Sequence, residues 1–376
     1  MPHRLLIVVN DPGFFLSHRA PIATEASRQG FEVHVATPVG PAVQDISALG
    51  FFHHPLPMTR SGVNPLSEVR LFLHLYRLFR TVRPSLVHLV TIKPVLYGSL
   101  AARLAGVPAM VAAISGLGHV FTLGSLKRRV LRMLVTLLYR AGLRHRTARV
   151  IFQNPVDRSV LVEAGCVRAA QAVMIRGSGV DLALCRMVAA PIGPPVFVFA
   201  ARLLRSKGIG EFVAAADVLA ARGIPARCLA AGEPDPQNPD SVTLAEIENW
   251  RARGCVKFVG FRPVAELFAA ANVVVLPSYY GEGLPKVLME AAACGRPVIT
   301  TDMPGCRDAV EAGVTGILVS PRDIVALADA MADLAADEDR RARMGQAGRA
   351  LAEREFGVEK IVAAHLAIYH ELLLES

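Results

Sequence analysis

Short apolar runs alternate with segments of helical period along most of the chain. Residues 5–9 form the first run, which stops at the loop signature Asn10-Asp11-Pro12-Gly13. The pattern then predicts a helix around 18–29, a strand at 32–36 and a helix around 64–82. A strand at Leu86–Val90, a helix over 98–105 and a strand at Ala109–Ile114 follow. These runs are apolar at every position rather than at every second one. That belongs to strands covered on both faces, and helices between them imply a parallel sheet. After the linker-like Pro191-Ile192-Gly193-Pro194-Pro195 the pattern restarts. Strands are expected at Val196–Ala200, 226–230, 256–259, Val273–Leu276, 297–300 and Gly316–Val319, with a helix at 210–222 after the first of them. Two successive doubly wound α/β domains are the economical reading. A closing helix around 358–374 is expected to return to the first. Neither half carries G-x-G-x-x-G with a downstream acid, so no dinucleotide cofactor is indicated.

Composition agrees with two cores: 376 residues, 52% apolar and 19% charged, at roughly 100–200 residues per domain. Charge changes the picture more. Residues 1–180 carry 21 basic and 7 acidic side chains, net +14, whereas 181–376 carry 20 and 25, net −5. The first half is therefore expected to meet something anionic. Within it, residues 126–146 place Leu126, Val130, Met133, Leu134, Leu137, Leu138 and Ala141 at helical spacing. Arg129, Arg132, Arg140 and Arg144 form a second stripe. Such a helix suits an anionic membrane surface, and an ordinary solvated helix is the alternative. The 23 residues between Arg103 and Lys127 lack charge, but their glycines and Pro108 read as a buried strand and a loop rather than a span. Six scattered cysteines without C-x-x-C point to reduced thiols in the cytoplasm, and residues 5–9 are too short for a secretory core.

Candidate chemistry sits in the second half. Ala201-Arg202-Leu203-Leu204-Arg205-Ser206-Lys207-Gly208 follows a strand, at the edge where open α/β sheets hold ligands. A guanidinium fork and an ammonium suit a diphosphate whose charge grows as it leaves. Further on, Pro277-Ser278-Tyr279-Tyr280-Gly281-Glu282-Gly283-Leu284-Pro285-Lys286 runs from a strand into a helix whose first position suits Pro285. The positive helix end suits phosphate. Glu282 and Glu290 bracket it and are better aimed at neutral sugar hydroxyls, roughly 8–12 Å apart at a helical rise of about 1.5 Å per residue. A solvated acidic pair beside a basic surface loop is the plain alternative.

Arg202…Lys207-Gly208, the Glu-x7-Glu element and Ala292-Ala293-Cys294-Gly295-Arg296-Pro297-Val298-Ile299 together resemble glycosyltransferase family 4, retaining enzymes of the GT-B fold. The resemblance covers essentially the whole chain. Asn10-Asp11, Phe14-Phe15-Leu16-Ser17-His18-Arg19, His88-Leu89-Val90-Thr91-Ile92-Lys93-Pro94, Ser115-Gly116-Leu117-Gly118 and Phe152-Gln153-Asn154 are similar to a bacterial subgroup acting on polyprenyl-diphosphate-linked saccharides.

The resemblance implies two Rossmann-like domains facing across a cleft. Residues 1–180, joined by 358–376, would take the acceptor, and 190–357 the nucleotide-sugar. It implies a UDP-sugar donor, a hexose or N-acetylhexosamine, an undecaprenyl-diphosphate-linked saccharide acceptor and retention. It also implies a protein held peripherally at the inner membrane face. Carried over by position, Arg202 and Lys207 hold the diphosphate, and Glu290 the ribose. Glu282 with the Gly283 and Leu284 amides holds the sugar, Phe261 and Arg262 approach the base, and Gly13 closes over the phosphates. His119 is a catalytic candidate or a structural histidine; Asn10, His18 and Lys93 are acceptor-side candidates, and His88 is acceptor-side or structural. Gly281 stands where the family pattern leads one to expect arginine. No Asp-x-Asp motif is found to hold a metal on the diphosphate, so no metal and no cofactor are expected. An epimerase or hydrolase of the same fold, a sugar-nucleotide sensor and, remotely, a nucleic-acid-binding protein are the competing readings.

Overall fold

A computed structural model describes residues 2–58, 64–117, 126–236 and 238–375. The chain divides into two compact units: Met1–Ser178 with Glu359–Ser376, and Gly179–Val358. In the first unit β1 (Arg4–Val8) leads to α1 (Pro12–His18), α2 (Ala20–Arg28), β2 (Glu32–Thr37), α3 (Val43–Ala48) and β3 (Phe52–Pro55). Then come α4 (Pro65–Val82), β4 (Leu86–Val90), a π-helical turn at Pro94–Gly98, α5 (Ser99–Ala105) and β5 (Ala109–Ile114). Helix α6 (Leu126–Leu143), β6 (Ala148–Phe152), α7 (Pro155–Glu163) and β7 (Ala172–Met174) complete the run. The seven strands lie parallel in the order β3-β2-β1-β4-β5-β6-β7. Every residue of β4 and β5 is buried, as continuous apolar runs require.

The second unit contains β8 (Val196–Ala200), a 3₁₀ turn at Arg205–Lys207, α8 (Ile209–Ala221), β9 (Arg227–Ala231), α9 (Leu244–Arg253) and β10 (Val256–Gly260). It continues through α10 (Val264–Ala269), β11 (Val273–Leu276), α11 (Lys286–Ala293), β12 (Val298–Thr301) and β13 (Gly316–Val319). Helices α12 (Ile324–Ala336) and α13 (Glu338–Leu351) precede α14 (Val358–Glu375). Its six strands are also parallel, in the order β10-β9-β8-β11-β12-β13. In each sheet the order reverses direction at one pair: β1/β4 in the first, β8/β11 in the second. Ligands of open α/β sheets gather at the carboxyl ends of such a pair.

Several local expectations change. The helix expected at 18–29 is two helices, and Gly13 lies in the first turn of α1 rather than in a loop. Asp11 caps α1 by accepting from the Phe14 amide at 2.7 Å, and Pro12 is pre-set for the first turn. The break falls at Arg19 (φ −128°), whose guanidinium is buried and donates to the His18 carbonyl at 3.0 Å. Pro285 is the residue before α11, not its first helical one. The turn at Pro94–Gly98 precedes the helix expected from residue 98.

Most of α14 packs within the first unit. His88 Nδ1 and the Tyr369 hydroxyl lie 2.6 Å apart, and Arg149 pairs with Glu371 and Glu375. His88 is therefore a buried structural residue. Burial, then the Arg19 charge, depresses its pKa well below the usual histidine range and that of His365 to about 3, so both stay neutral.

Candidate active site

The carboxyl ends of β8 and β11 bring together residues 75 positions apart. Lys207, closing the 3₁₀ turn after β8, forms an ion pair with Glu282 in the loop after β11, both side chains mostly buried. The Ser278 hydroxyl lies 2.8 Å from Glu282 Oε1, and the Tyr279 amide donates to the Ser206 carbonyl at 3.0 Å, stitching the two loops. Gly208 makes this approach possible. Its φ is +81°, and a Cβ there would stand 2.2 Å from the Pro277 carbonyl oxygen. Any side chain would force the loops apart.

Arg202, half-exposed, pairs with Asp235 beyond β9 at 2.7 Å. Glu290 lies on α11, its Oε1 3.6 Å from the Lys286 ammonium one turn earlier. Burial raises its pKa above the ordinary 4.5, and Lys286 opposes that shift without cancelling it. Phe261 and Arg262 follow β10 and are exposed. Gly283 and Leu284 continue the Glu282 loop, and Leu284 is buried. The edge thus presents two cations already neutralised by acids, with a third acid one helix away. The chain's Asp-x-Asp triplet, Asp337-Glu338-Asp339, lies elsewhere and opens α13: Asp337 accepts from the Arg340 amide at 2.8 Å. Among the described residues no three His, Cys, Asp or Glu side chains cluster as metal ligands do.

The equivalent edge of the first unit is built differently. Lys93 donates to Glu68 Oε1 on α4 at 2.7 Å, with both side chains largely buried. Lys93 is thus not an open cation awaiting a phosphate. Burial, then the Glu68 charge, pushes the neighbouring Tyr97 phenol up to about 12. Thr91, just past β4, has φ +75°, an outlier for a β-branched residue and a strain of about 1–3 kcal/mol. Asn10 follows β1, half-buried. His18 ends α1, its ring stacked on Phe14 at 4.0 Å and its Nδ1 2.6 Å from the Ser17 hydroxyl. His119 and Gly118 lie outside the described residues.

Helix α6 turns the apolar side chains of Val130, Met133, Leu134 and Leu137 to solvent, each about half-exposed, while Val135, Tyr139 and Leu143 face the core. Arg140 donates to the Ala164 carbonyl from Nε and Nη2. Sequence reasoning missed a second such face: Leu66, Val69 and Leu73 on α4 are exposed beside Arg70 and Arg77. Both helices pack on α5. Among the described residues no helix is long and apolar enough to cross a membrane. Sequence reasoning also missed Asp235, Ser278 and Glu68, whose partners are distant in the chain.

Two parallel doubly wound units, one with a cation-and-acid edge at its switch point, define the GT-B class of glycosyltransferase. Residues 4–154 match the glycosyl transferase 4-like family model and 187–351 the glycosyl transferases group 1 model. The chain belongs to these glycosyltransferases. It is 24% identical over 354 residues to a Campylobacter jejuni N,N'-diacetylbacillosaminyl-diphospho-undecaprenol alpha-1,3-N-acetylgalactosaminyltransferase, covering 88% of this chain and 91% of that one. An alpha-maltose-1-phosphate synthase of Mycolicibacterium smegmatis is 34% identical over 205 residues, 52% of each chain. Among solved structures, Anabaena HepE in complex with UDP superposes with a TM-score of 0.77 at 20% identity over 99% of this chain and 100% of that one. Sucrose-phosphate synthase from Thermosynechococcus elongatus does so with 0.80 at 23% identity over the whole of both.

Proposed function

We propose that this glycosyltransferase moves a hexose or N-acetylhexosamine from a UDP-sugar to a polyprenyl-diphosphate-linked saccharide, with retention and without a metal. The observation that carries the donor half is the convergence of Lys207, Glu282 and Ser278 at the β8/β11 switch point, with Arg202 and Glu290 on the same unit. In this reading Arg202, Lys207 and the start of α11 stabilise the diphosphate as negative charge grows on it. Lys207 then exchanges its Glu282 partner for phosphate oxygen, which releases Glu282 for hydroxyls of the transferred sugar. Glu290 takes the ribose hydroxyls, and Phe261 and Arg262 flank the base. The acceptor hydroxyl attacks the anomeric carbon as the bond to the leaving phosphate breaks, and that phosphate's oxygen takes the hydroxyl proton. Gly13, in the first turn of α1, serves the donor phosphates, and Asn10 and His18 the acceptor.

The acceptor half rests on the C. jejuni relative's printed activity on a diphospho-undecaprenol saccharide and on the outer helices. The exposed apolar rows of α4 and α6, edged by arginines, suit an anionic bilayer at the inner membrane face. The test is direct. Purified protein titrated calorimetrically with UDP, then incubated with a UDP-sugar panel and a polyprenyl-diphosphate saccharide in chelator, should bind UDP and form one product. A crystal soaked with UDP that placed it away from Lys207 and Glu290 would overturn the assignment, and donor turnover without acceptor at the full rate would favour an epimerase or hydrolase.

A further inference from the structure

Among the described residues, three buried oxygens at the first unit's switch point lie outside hydrogen-bond geometry of any partner, the Tyr97 hydroxyl being the polar neighbour of Glu68. These are Glu68 Oε2, Thr91 Oγ1 and Ser115 Oγ. They come from α4, the end of β4 and the end of β5. Strands β4 and β5 pair with Val90 opposite Ala113, so Thr91 and Ser115 leave adjacent strands at the same edge. Glu68 is brought there by its bond to Lys93, two residues beyond Thr91. The π-helical turn at Pro94–Gly98 packs on α4, β4 and β5 together.

Each of these features is costly for folding alone. A β-branched residue in the left-handed region is strained, and a buried carboxylate oxygen without a donor loses its hydration unreplaced. A π-helical turn inserts a residue into an α-helical path and concentrates at functional sites. All three meet at one edge of one sheet.

We propose that Glu68, Thr91 and Ser115 form a subsite for the hydroxyls of a neutral pyranose, the sugar ring of the acceptor. The proposal rests on the acceptor reading above and names residues for it. Glu68 Oε1 is taken by Lys93, which cancels the charge, while Oε2 keeps lone pairs for a sugar O–H. The Thr91 and Ser115 hydroxyls both donate and accept, as vicinal sugar hydroxyls do. A phosphate oxygen brings no hydrogen for Glu68 Oε2 to accept; a polyol hydroxyl does. Lys93 is then a positioning residue that holds Glu68, rather than a diphosphate ligand.

The experiment measures binding rather than turnover. The probe is N-acetylglucosamine 1-diphosphate carrying a short prenyl chain, titrated by calorimetry into UDP-saturated protein; the sugar-free prenyl diphosphate is the control. Wild type, Glu68→Gln and Thr91→Gly are compared. Glycine relieves the +75° backbone, so Thr91→Gly should melt at or above the wild-type temperature and still bind the probe ~10-fold more weakly or worse, as lost hydrogen bonds within a polar buried site predict. Glu68→Gln should weaken the probe similarly. Both variants should keep wild-type affinity for UDP and for the control. Probe affinities within two-fold of wild type in both variants would overturn the subsite, as would an equal loss for the control. A wild type that binds UDP but not the probe removes the subsite and leaves the donor reading standing; one that binds neither removes both.

Discussion

The two units share one strand topology and differ in the chemistry at their switch points. The first 180 residues are net +14, yet the edge formed by β1, β4 and β5 holds a single lysine, paired with Glu68. The rest is net −5, yet its edge holds two cations, Arg202 and Lys207, paired with Asp235 and Glu282. Bulk charge therefore sets the charge of neither edge. The surplus arginines of the first unit lie partly on α4 and α6, among exposed leucines and valines. Net charge describes what a domain meets at long range; its pocket is set by a few paired groups.

The sharpest way to break this contrast is Lys207→Ala. If the second edge stabilises a departing diphosphate, turnover should fall at least ~10²-fold in a steady-state transfer assay; near-normal turnover would make the Lys207–Glu282 pair merely structural. Next comes Glu290→Ala, expected to weaken UDP about 10-fold by calorimetry, the scale for hydrogen bonds to a charged group. The same carboxylate gives a pH signature. Its pKa is raised by burial, so on acidification it takes up a proton at a higher pH than an ordinary glutamate at 4.5. UDP affinity in wild type should therefore decline as pH falls, starting at a higher pH than an ordinary glutamate would give, and Glu290→Gln should flatten the profile. The stability sign is opposite: a raised folded pKa means the charged form is the disfavoured one. The site's favourable contribution is thus present in acid and lost as pH rises through the folded value, and Glu290→Gln should melt higher at neutral pH but not in acid.

Smaller effects sharpen the outer-surface half of the comparison. Met133→Glu with Leu137→Glu should cut sedimentation with anionic liposomes several-fold, without altering UDP affinity, because a charged group opposes burial of the apolar row at the bilayer boundary. Equal partition of wild type into neutral and anionic vesicles would detach the arginines from that role. The smallest effect is expected of Asp235→Asn. It frees Arg202 from a half-exposed ion pair, worth about 1 kcal/mol or less, and should tighten UDP only a few-fold.

The central strands were readable because a parallel sheet buries both faces, leaving unbroken apolar runs at Leu86–Val90, Ala109–Ile114 and Val196–Ala200. Edge strands were not. Phe52–Pro55 reads Phe-His-His-Pro, with an exposed phenylalanine and half-buried histidines, and Ala172–Met174 spans three residues. The split between α1 and α2 turns on a buried arginine, which pattern reading takes for a surface residue. At the second edge, loop placement was legible from strand ends and glycines. The Lys207–Glu282 and Arg202–Asp235 pairings were not, because only the fold sets which distant acid meets which base. At the first edge Lys93 was visible and its neutralisation by Glu68 was not.

Because most of α14 belongs to the first unit, that unit is assembled from segments on either side of Gly179–Val358, which is itself one uninterrupted stretch. On a ribosome the later-made unit has all its parts before the earlier-made one does. Until α14 emerges, the newborn first unit lacks Tyr369 and His365 over His88, leaving an apolar flank uncovered. A nonsense codon at the start of α14 should therefore harm the segment made first, and sparing Gly179–Val358 would let it survive as a fragment.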